Sequence, residues 1–477
     1  MLSHPGDKNK NVARVGHPNG IAIHKSRVSV KEAIQMKSTT ACRRLLRLAL
    51  LAALSSGMLF AQASEDYPRR AAQWRSEIRK ALYLPDQLPP LEAKTWSSFS
   101  PARGVLADRV TYRTASGMLV PAIVYRPLRW TGQRKGVRLP GIVIVNGHGA
   151  DKFSWYAFYS GMMFAQAGAE VVTYDPIGEG ERNIDKKSHT GAHDRIVPAP
   201  EGISAGDWGQ RLAGLMQVDL MQAVTYLSQR PEVDASRIAV LGYSMGAFVS
   251  GIAGALDPRI HAVLLSGGGT YDDEQDAGKP FDRGKLPCQT PPWRSLRVLG
   301  AAPHMRGAVI YALNADRGAM LVENGSADEV MDIPHRGPEW FEGLRQQAIA
   351  LRKSDRNLFT THVDAGEGHR PAWVERAGVL WLNQQIHFAN WNAAAIASRP
   401  AIRIGDWAKA NSVEIPVNYQ RPDREGGLMA LGGALPAIQR EQLMALPAGD
   451  WEKLRAQLTY ESWAEKTLAA ERAAARF

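Results

Sequence analysis

The chain has 477 residues, enough for one large domain or two, and its apolar content of 45% is typical of a globular protein. A net charge of +11 would suit a nucleic acid or an anionic membrane if it were spread over the whole chain. Residues 1–63 contribute +8 of that charge and leave +3 for the rest, so a large phosphate-binding surface is not expected.

An apolar run follows the basic N-terminal stretch. Three arginines within residues 43–47 precede the uncharged run 48–63, which is shorter than the roughly 20 residues that span a bilayer. Small residues end this run and suit cleavage by a signal peptidase before Ser64. We therefore predict a leader at 1–63 with its signal peptide at 36–63. The mature protein is expected to be periplasmic or secreted, with no stable membrane span after cleavage.

Short strands and helices alternate along the body of the chain. A helix at 68–83 is followed by strand patterns at 109–113 and 118–126, which resemble an antiparallel start to a sheet. From residue 141, apolar β-branched runs alternate with stretches of helical periodicity. The strands are predicted at 142–146, 170–174, 237–241, 261–265, 320–323 and 358–363, and the helices at 154–167, 209–229, 245–256, 336–352 and 372–390. This alternation predicts an α/β fold, a mainly parallel sheet with helices on both faces.

Two long stretches interrupt this alternation and are predicted to be functional loop insertions. They are residues 176–208, rich in Gly, His, Asp and Pro, and residues 269–317, rich in Gly, Pro and Trp. The strand pattern stops after about residue 392, and residues 450–477 have helical character. We therefore predict a catalytic domain at 64–391 that carries both insertions, followed by a helical C-terminal extension at 392–477.

Residues 242–246, Gly-Tyr-Ser-Met-Gly, match the G-x-S-x-G pattern between a predicted strand and a predicted helix. Small residues are needed at the flanks because the turn is too tight for side chains there, and the turn lifts the serine hydroxyl to a helix N-terminus. The pattern predicts that Ser244 is the nucleophile of a serine hydrolase. The alternative interpretation is an ordinary glycine-rich turn.

A serine nucleophile needs a base, and the base needs a carboxylate that orients it. In this type of fold the order along the chain is serine, acid and histidine. His369 lies in a glycine-rich segment after the last predicted strand and is the predicted base. Asp328 follows the strand at 320–323 within an Asn-Gly-Ser turn and is the predicted orienting acid. Its rivals for that role are Glu323, Glu329, Asp332 and Asp272.

The oxyanion hole of such an enzyme needs two backbone N–H groups directed at the developing alkoxide. One is predicted to be the N–H of Met245, directly after the nucleophile. The other is predicted in the loop 146–149, Asn-Gly-His-Gly, where the N–H of His148 is favoured and that of Gly149 is the second choice. The His148 side chain is expected to pack rather than react.

Residues 109–390 resemble the α/β-hydrolase fold and are most similar to its acetylxylan-esterase and dienelactone-hydrolase-like branch. Residues 175–182, Asp-Pro-Ile-Gly-Glu-Gly-Glu-Arg, resemble that branch's D-x-x-G-x-G-x-R loop, and residues 230–238 resemble its usual lead into the nucleophile strand. Segment 146–149 stands where the branch has His-Gly-x-Gly, with Asn replacing the first His. The resemblance implies an acyl-enzyme mechanism at Ser244 without a metal or an organic cofactor.

Other patterns that suggest cofactors are weak. Cys288 is the one cysteine after the leader, and it gives no usual metal-ligand spacing with the histidines. The group at 189–194, with two histidines and an aspartate, is expected to be structural or to line a pocket. The Gly-x-Gly runs at 147–149 and 178–180 lack the third glycine of a dinucleotide loop, so no nucleotide cofactor is expected.

The predicted substrate is a small-molecule or carbohydrate ester, with an acyl group on a polysaccharide favoured by the predicted export and the resemblance. No nucleic-acid partner is expected. Two alternatives stay open, a serine peptidase or amidase of the same fold and a non-catalytic binding protein that kept the scaffold. The complete and correctly ordered set of serine, acid and histidine argues against the second alternative.

Overall fold

The computed structural model describes residues 66–188, 199–271, 306–415, 427–433 and 435–474. The predicted leader at 1–63 therefore lies outside the described residues. The same holds for Cys288, Asp272 and the group at 189–194.

Nine strands form the central sheet in the order β1-β2-β3-β5-β4-β6-β7-β8-β9. The first three strands are antiparallel to their neighbours, and the strands from β5 to β9 in this order pair in parallel. The strand bounds are β1 Lys94–Ala102, β2 Val105–Arg113, β3 Leu119–Pro127, β4 Leu139–Val145, β5 Glu170–Tyr174, β6 Val233–Tyr243, β7 Ile260–Ser266, β8 Ala319–Gly325 and β9 Thr360–Asp364.

Helices connect the parallel strands and continue into the C-terminal extension. The helix bounds are α1 66–81, α2 Trp155–Ala167, α3 Ala205–Ser228, α4 Met245–Leu256, α5 Arg306–Ala315, α6 Ile333–Arg352, α7 Arg376–Ile386, α8 Ala393–Ser398, α9 Ile404–Ala410, α10 Ala448–Leu454 and α11 Tyr460–Ala474. In the described residues no helix is both long enough and apolar enough to cross a bilayer.

The two faces of the sheet carry separate apolar cores because side chains alternate along each strand. In β4, Val143 and Val145 pack with α1, α3, α4, α5 and α6, whereas Ile142 and Ile144 pack with α2, α7, α8 and α9. Since β4 is buried on both faces, it appears in the sequence as a continuous apolar run. The predicted α/β-hydrolase fold, with a mainly parallel sheet covered on both faces and a helical C-terminal segment, is confirmed.

Three elements differ from the sequence prediction. Strand β1 was not predicted, because it is a partly exposed edge strand with little apolar alternation. Helix α5 lies within the predicted insertion 269–317, yet its residues are buried in the core. The C-terminal extension contains a two-stranded antiparallel sheet, β10 Ala401–Arg403 with β11 Met429–Leu431, where no strand was predicted. Three-residue strands are too short to show a periodic pattern.

The end of the chain packs against the start of the sheet and against α3. Trp451 belongs to a small apolar cluster that includes Leu119 at the start of β3. The rings of Trp463 and Trp208 lie 4.8 Å apart, and the Trp208 indole donates a hydrogen bond of 3.0 Å to Tyr460. These aromatic contacts dock the extension onto the α/β body.

Candidate active site

Ser244 lies at the tight turn between β6 and α4. Its backbone has φ 53° and ψ −117°, a conformation that a residue with a side chain rarely adopts. A Cβ on Gly242 would lie 2.2 Å from the Gly246 carbonyl oxygen, and one on Gly246 would lie 2.2 Å from that of Val145. The two glycines are therefore required by space, as the sequence pattern predicted.

The side chains of Ser244, His369 and Asp328 form a continuous hydrogen-bonded chain. His369 Nε2 lies 2.9 Å from Ser244 Oγ, and His369 Nδ1 lies 2.9 Å from Asp328 Oδ2. Asp328 is fully buried, and its other oxygen accepts the N–H of Met331 at 2.9 Å. The carboxylate can therefore hold the imidazole with Nδ1 protonated and Nε2 facing the serine hydroxyl.

The loops that carry Asp328 and His369 are joined by backbone hydrogen bonds. Ser326 N–H donates to the Asp364 carbonyl at 2.9 Å, and Ala327 N–H donates to the Glu367 carbonyl at 2.8 Å. Gly267, with φ 58°, lies so close to the imidazole that a Cβ there would be 2.9 Å from His369. The position of the imidazole is thus set by the ends of three neighbouring strands.

Three of the rival carboxylates, those within the described residues, lie away from His369. Asp332 contacts the His335 ring at 2.6 Å. Glu323 lies on β8 beside His362 and Asp364, and Glu329 is exposed. Within the described part of the chain, Asp328 is the carboxylate that contacts His369.

The loop at 146–149 lies directly against the nucleophile turn. A Cβ on Gly147 would be 3.2 Å from the Ser244 Cβ, and the Gly147 N–H donates to the Tyr156 hydroxyl at 3.1 Å. Asn146 is fully buried and donates from its side-chain amide to the Tyr174 carbonyl at 2.8 Å. This bond gives a structural reason for Asn where the resembling branch has His. The N–H of Met245 is at the first residue of α4, so no preceding helical turn accepts it.

A buried group of charges, the Lys152 cluster, lies just after this loop. It comprises Lys152, Asp175, Glu181, Arg182 and Asp219, all fully or almost fully buried. The Lys152 ammonium contacts Asp175 and also Glu181, the latter at 2.7 Å. Arg182 pairs with Asp219 on α3. Burial raises the pKa of Asp175, and the adjacent ammonium offsets part of that rise. Through these contacts Asp175 and Arg182 brace the loop that follows β5.

The C-terminal extension binds to the Lys152 cluster through Glu181. The Glu181 carboxylate accepts the N–H groups of Ala445 at 2.7 Å and Leu446 at 3.0 Å, and the Trp451 indole donates to the Glu181 carbonyl at 2.8 Å. Arg440 ion-pairs with Asp151 at 3.4 Å. The extension thus holds the loop 175–182 and, through Asp151, the segment that follows loop 146–149.

Glu179 lies in the loop 175–182, as Glu181 does, and is fully buried. Burial and the nearby Asp151 raise the pKa of Glu179 to about 8, against the smaller opposing effects of Ser188 and the Gly149 backbone. Neither Glu179 nor Lys152 was predicted from the sequence to be a buried charged residue. The available signal for a buried charged group was the set of three acids within residues 175–181, because buried carboxylates need a cation or a proton.

A second buried group, the Arg370 cluster, lies behind His369. It comprises Arg370, Glu323, Asp364, Glu367 and Glu375. The guanidinium contacts Glu367, Glu375 at 3.0 Å and Asp364 at 3.5 Å. Burial raises the pKa of Glu323 well above its ordinary value and that of Glu375 to about 7. Four carboxyl groups here surround one guanidinium.

Comparison with known proteins agrees with this architecture. The sequence profile of the Prolyl oligopeptidase family matches residues 205–395, which contain Ser244, Asp328 and His369. Thiohydrolase apmlB of Arthrinium phaeospermum is 27% identical over 159 residues, covering 33% of this chain and 42% of that protein. The matches span less than half the length of these curated relatives.

Two solved structures show the likeness in three dimensions. Methylesterase BT1017 is 18% identical with a TM-score of 0.50, over 85% of this chain and 74% of that chain. An acetyl xylan esterase from Paenibacillus sp. R4 is 17% identical with a TM-score of 0.44, over 66% and 94% of the two chains. The chain is an α/β hydrolase by fold, and the resemblance to this superfamily is confirmed.

Proposed function

We propose that this protein is a serine hydrolase that cleaves carboxylic esters through an acyl-enzyme. The observation that carries the proposal is the pair of 2.9 Å contacts that join Ser244 to His369 and His369 to Asp328. The arrangement has the connectivity of a nucleophile, a base and an orienting acid. The turn at Ser244 also leaves the serine partly exposed at the end of the parallel strands, where a substrate can reach it.

In the proposed reaction His369 Nε2 accepts the hydroxyl proton while Ser244 Oγ attacks the ester carbonyl. The N–H groups of Met245 and His148 stabilise the oxyanion, and Asp328 stabilises the imidazolium. His369 then gives its proton to the leaving alcohol oxygen, which leaves an acyl group on the serine. Water repeats the sequence and releases the acid.

The proposed substrate is a carbohydrate ester, an acyl group on a polysaccharide. Support comes from the resemblance to the acetylxylan-esterase branch and from the predicted export. The methylesterase likeness is one of fold, and it adds methyl-esterified sugars to the substrates worth testing. A panel of acetylated sugars, methyl-esterified sugar acids and simple aryl esters ranks these classes by kcat/KM. A simple aryl ester cleaved best would contradict the carbohydrate assignment.

The nucleophile is tested with an aryl acetate and the variant Ser244→Ala. Because the variant removes the attacking atom, kcat should fall by roughly 10⁴-fold or more. The matched control is Ser398→Ala, an exposed serine at the end of α8, which should keep wild-type activity. A fluorophosphonate should label the wild type at Ser244 and leave the variant unlabelled. Equal turnover by wild type and Ser244→Ala would reject the assignment, and no turnover of any ester or amide would favour a binding protein.

A peptidase or amidase is the second candidate, favoured by the Prolyl oligopeptidase profile over residues 205–395. Ester and amide substrates with the same acyl group separate the two. The esterase proposal expects turnover of the ester with little cleavage of the amide. Cleavage of a peptide amide without ester turnover would favour the peptidase.

We also propose that the protein is exported after cleavage before Ser64. Expression of the full chain in a bacterium, followed by N-terminal sequencing of the exported product, tests this directly. Ser64 should be the first residue. Full-length protein confined to the cytoplasm would contradict the proposal.

A further inference from the structure

Strands β8 and β9 bring three potential metal ligands to one place. Glu323 and His362 are directly paired across these parallel strands, and Asp364 follows two residues after His362 on the same face. One ligand atom from each of the three residues lies within 4.8 Å of those of the others. His362 Nε2 lies 3.1 Å from Asp364 Oδ1. The convergence comes from a parallel register of two strands that lie far apart in the sequence.

The Glu323 carboxylate lacks a partner. The residue is fully buried, and neither of its oxygens accepts a hydrogen bond from the described residues. Helix α7 covers it so closely that a Cβ on Gly378 would lie 3.1 Å from Glu323 Oε2. Leaving a buried carboxylate ionised and unpaired is costly, so this position calls for a proton or a positively charged neighbour.

The nearby guanidinium meets that need only without direct contact. Arg370 ion-pairs with Glu367, Glu375 and Asp364, and none of the described ion pairs reaches Glu323. Four carboxyl groups share one guanidinium in the Arg370 cluster, so without a further cation some of them must hold a proton. A bound cation would take the place of such a proton.

One of the three residues faces the solvent. The His362 side chain is 45% exposed, whereas that of Asp364 is 9% exposed. The imidazole therefore forms the outer wall of the group and the buried Glu323 forms its floor. An ion would therefore approach from the side of His362.

We propose that Glu323, His362 and Asp364 form a binding site for a divalent zinc-class ion. One imidazole and two carboxylates are donors that Zn²⁺ accepts, with ligand distances of about 2.0–2.2 Å, and three protein ligands leave the fourth position to water. Calcium is less suited because it takes about 6–8 oxygen ligands. The present separations need only a small side-chain movement to reach such a geometry.

The position of the site gives the ion a structural role. Glu323 precedes Asp328 by five residues, and Asp364 precedes His369 by five residues, so both catalytic loops begin at this site. An ion there would fasten β8 to β9 below those loops. It lies outside the chain of contacts from Ser244 to Asp328 and takes no part in the chemical steps.

The test uses untagged protein, since a histidine tag would itself bind zinc, treated with a chelator and then dialysed. Calorimetric titration with ZnCl₂ at neutral pH should show one ion bound per chain, and the melting temperature should rise with zinc. In His362→Gln the affinity should fall by roughly 100-fold or more, because a direct ligand is lost. This exposed position makes misfolding an inadequate explanation. His387→Gln, at an exposed histidine after α7, is the matched control and should bind as the wild type does.

Glu323→Gln is the second variant and should also lose the zinc-dependent rise in melting temperature. Ser244→Ala should bind zinc normally, so failure of the metal site and failure of the esterase proposal are distinguishable. The inference would be overturned if the wild type bound no zinc, or bound it no more tightly than His362→Gln does. A tighter and stoichiometric response to CaCl₂ than to ZnCl₂ would overturn the assigned class of ion.

Discussion

The Lys152 cluster and the Arg370 cluster are both buried beside the catalytic residues, but they treat their charges differently. In the Lys152 cluster each carboxylate contacts a cation, and Glu181 also accepts two backbone N–H groups. In the Arg370 cluster one guanidinium serves several acids, and the Glu323 carboxylate has no hydrogen-bond donor among the described residues. The first cluster is therefore a paired structural brace, whereas the second leaves one buried carboxyl group without a contacting cation among the described residues.

The largest effect is expected from Lys152→Met, which removes the central cation of the first cluster. Asp175 and Glu181 would then be buried without their ammonium, so the free energy of unfolding should fall by about 3–5 kcal/mol. Urea denaturation measures the change. Lys135→Met, at an exposed lysine, is the control and should shift stability very little. A loss below about 1 kcal/mol would show that the cluster is not a brace.

A smaller effect is expected from Glu181→Gln, which keeps the shape of the side chain and removes its charge. The attachment to Ala445 and Leu446 should weaken, with a loss of about 2 kcal/mol, since charge-assisted hydrogen bonds are replaced by neutral ones. Limited proteolysis should cut the extension sooner in this variant. Glu441→Gln, at an exposed position of the same extension, should behave as the wild type. Equal proteolysis rates in the variant and the wild type would show that Glu181 does not help to attach the extension.

Glu179 should make stability depend on pH. Its pKa of about 8 lies above the ordinary value for a glutamate. At pH values between that ordinary value and 8, the folded state holds a proton that the unfolded state has lost. The contribution of this group to the free energy of unfolding is therefore fully present below about pH 4 and is lost as the pH rises to about 8. Between about pH 7 and 8 the decline should be about 1 kcal/mol, and Glu179→Gln should abolish it. An identical pH dependence in both proteins would contradict the assignment.

The smallest change is expected from Glu323→Gln in protein treated with a chelator. No partner is lost, so the free energy of unfolding should change by less than about 1 kcal/mol or increase. Urea denaturation measures the free energy of unfolding of this variant and of Lys152→Met, and the difference between the two losses compares the clusters. A loss of about 3 kcal/mol or more would mean that Glu323 has a stabilising partner without metal, and the two clusters would then be alike.

The sequence was informative where the chemistry depends on local spacing. The glycines that flank Ser244 signalled the tight turn, because no larger residue fits there. The order of serine, acid and histidine selected Asp328 and His369, which the fold brings into contact. Their catalytic roles, and that of the N–H of His148, stay predictions until activity is measured.

Long-range contacts carried no comparable signal. Lys152 meets Glu181 across a loop, and Glu323 meets His362 across two strands that a helix separates. Edge strand β1 and the short pair β10 and β11 have too little apolar alternation to be recognised. Such features depend on which strands become neighbours, and a single sequence does not contain that information locally.

The hydrogen bond from Ala445 to Glu181 joins residues that are 264 positions apart. During synthesis the chain emerges from its N-terminus, so the loop that contains Glu181 exists long before its partner does. Ser244, Asp328 and His369 are likewise complete before residue 445 has been made. A chain that stops before residue 445 would therefore carry Ser244, Asp328 and His369 but lack the two backbone N–H groups that hold the Glu181 carboxylate.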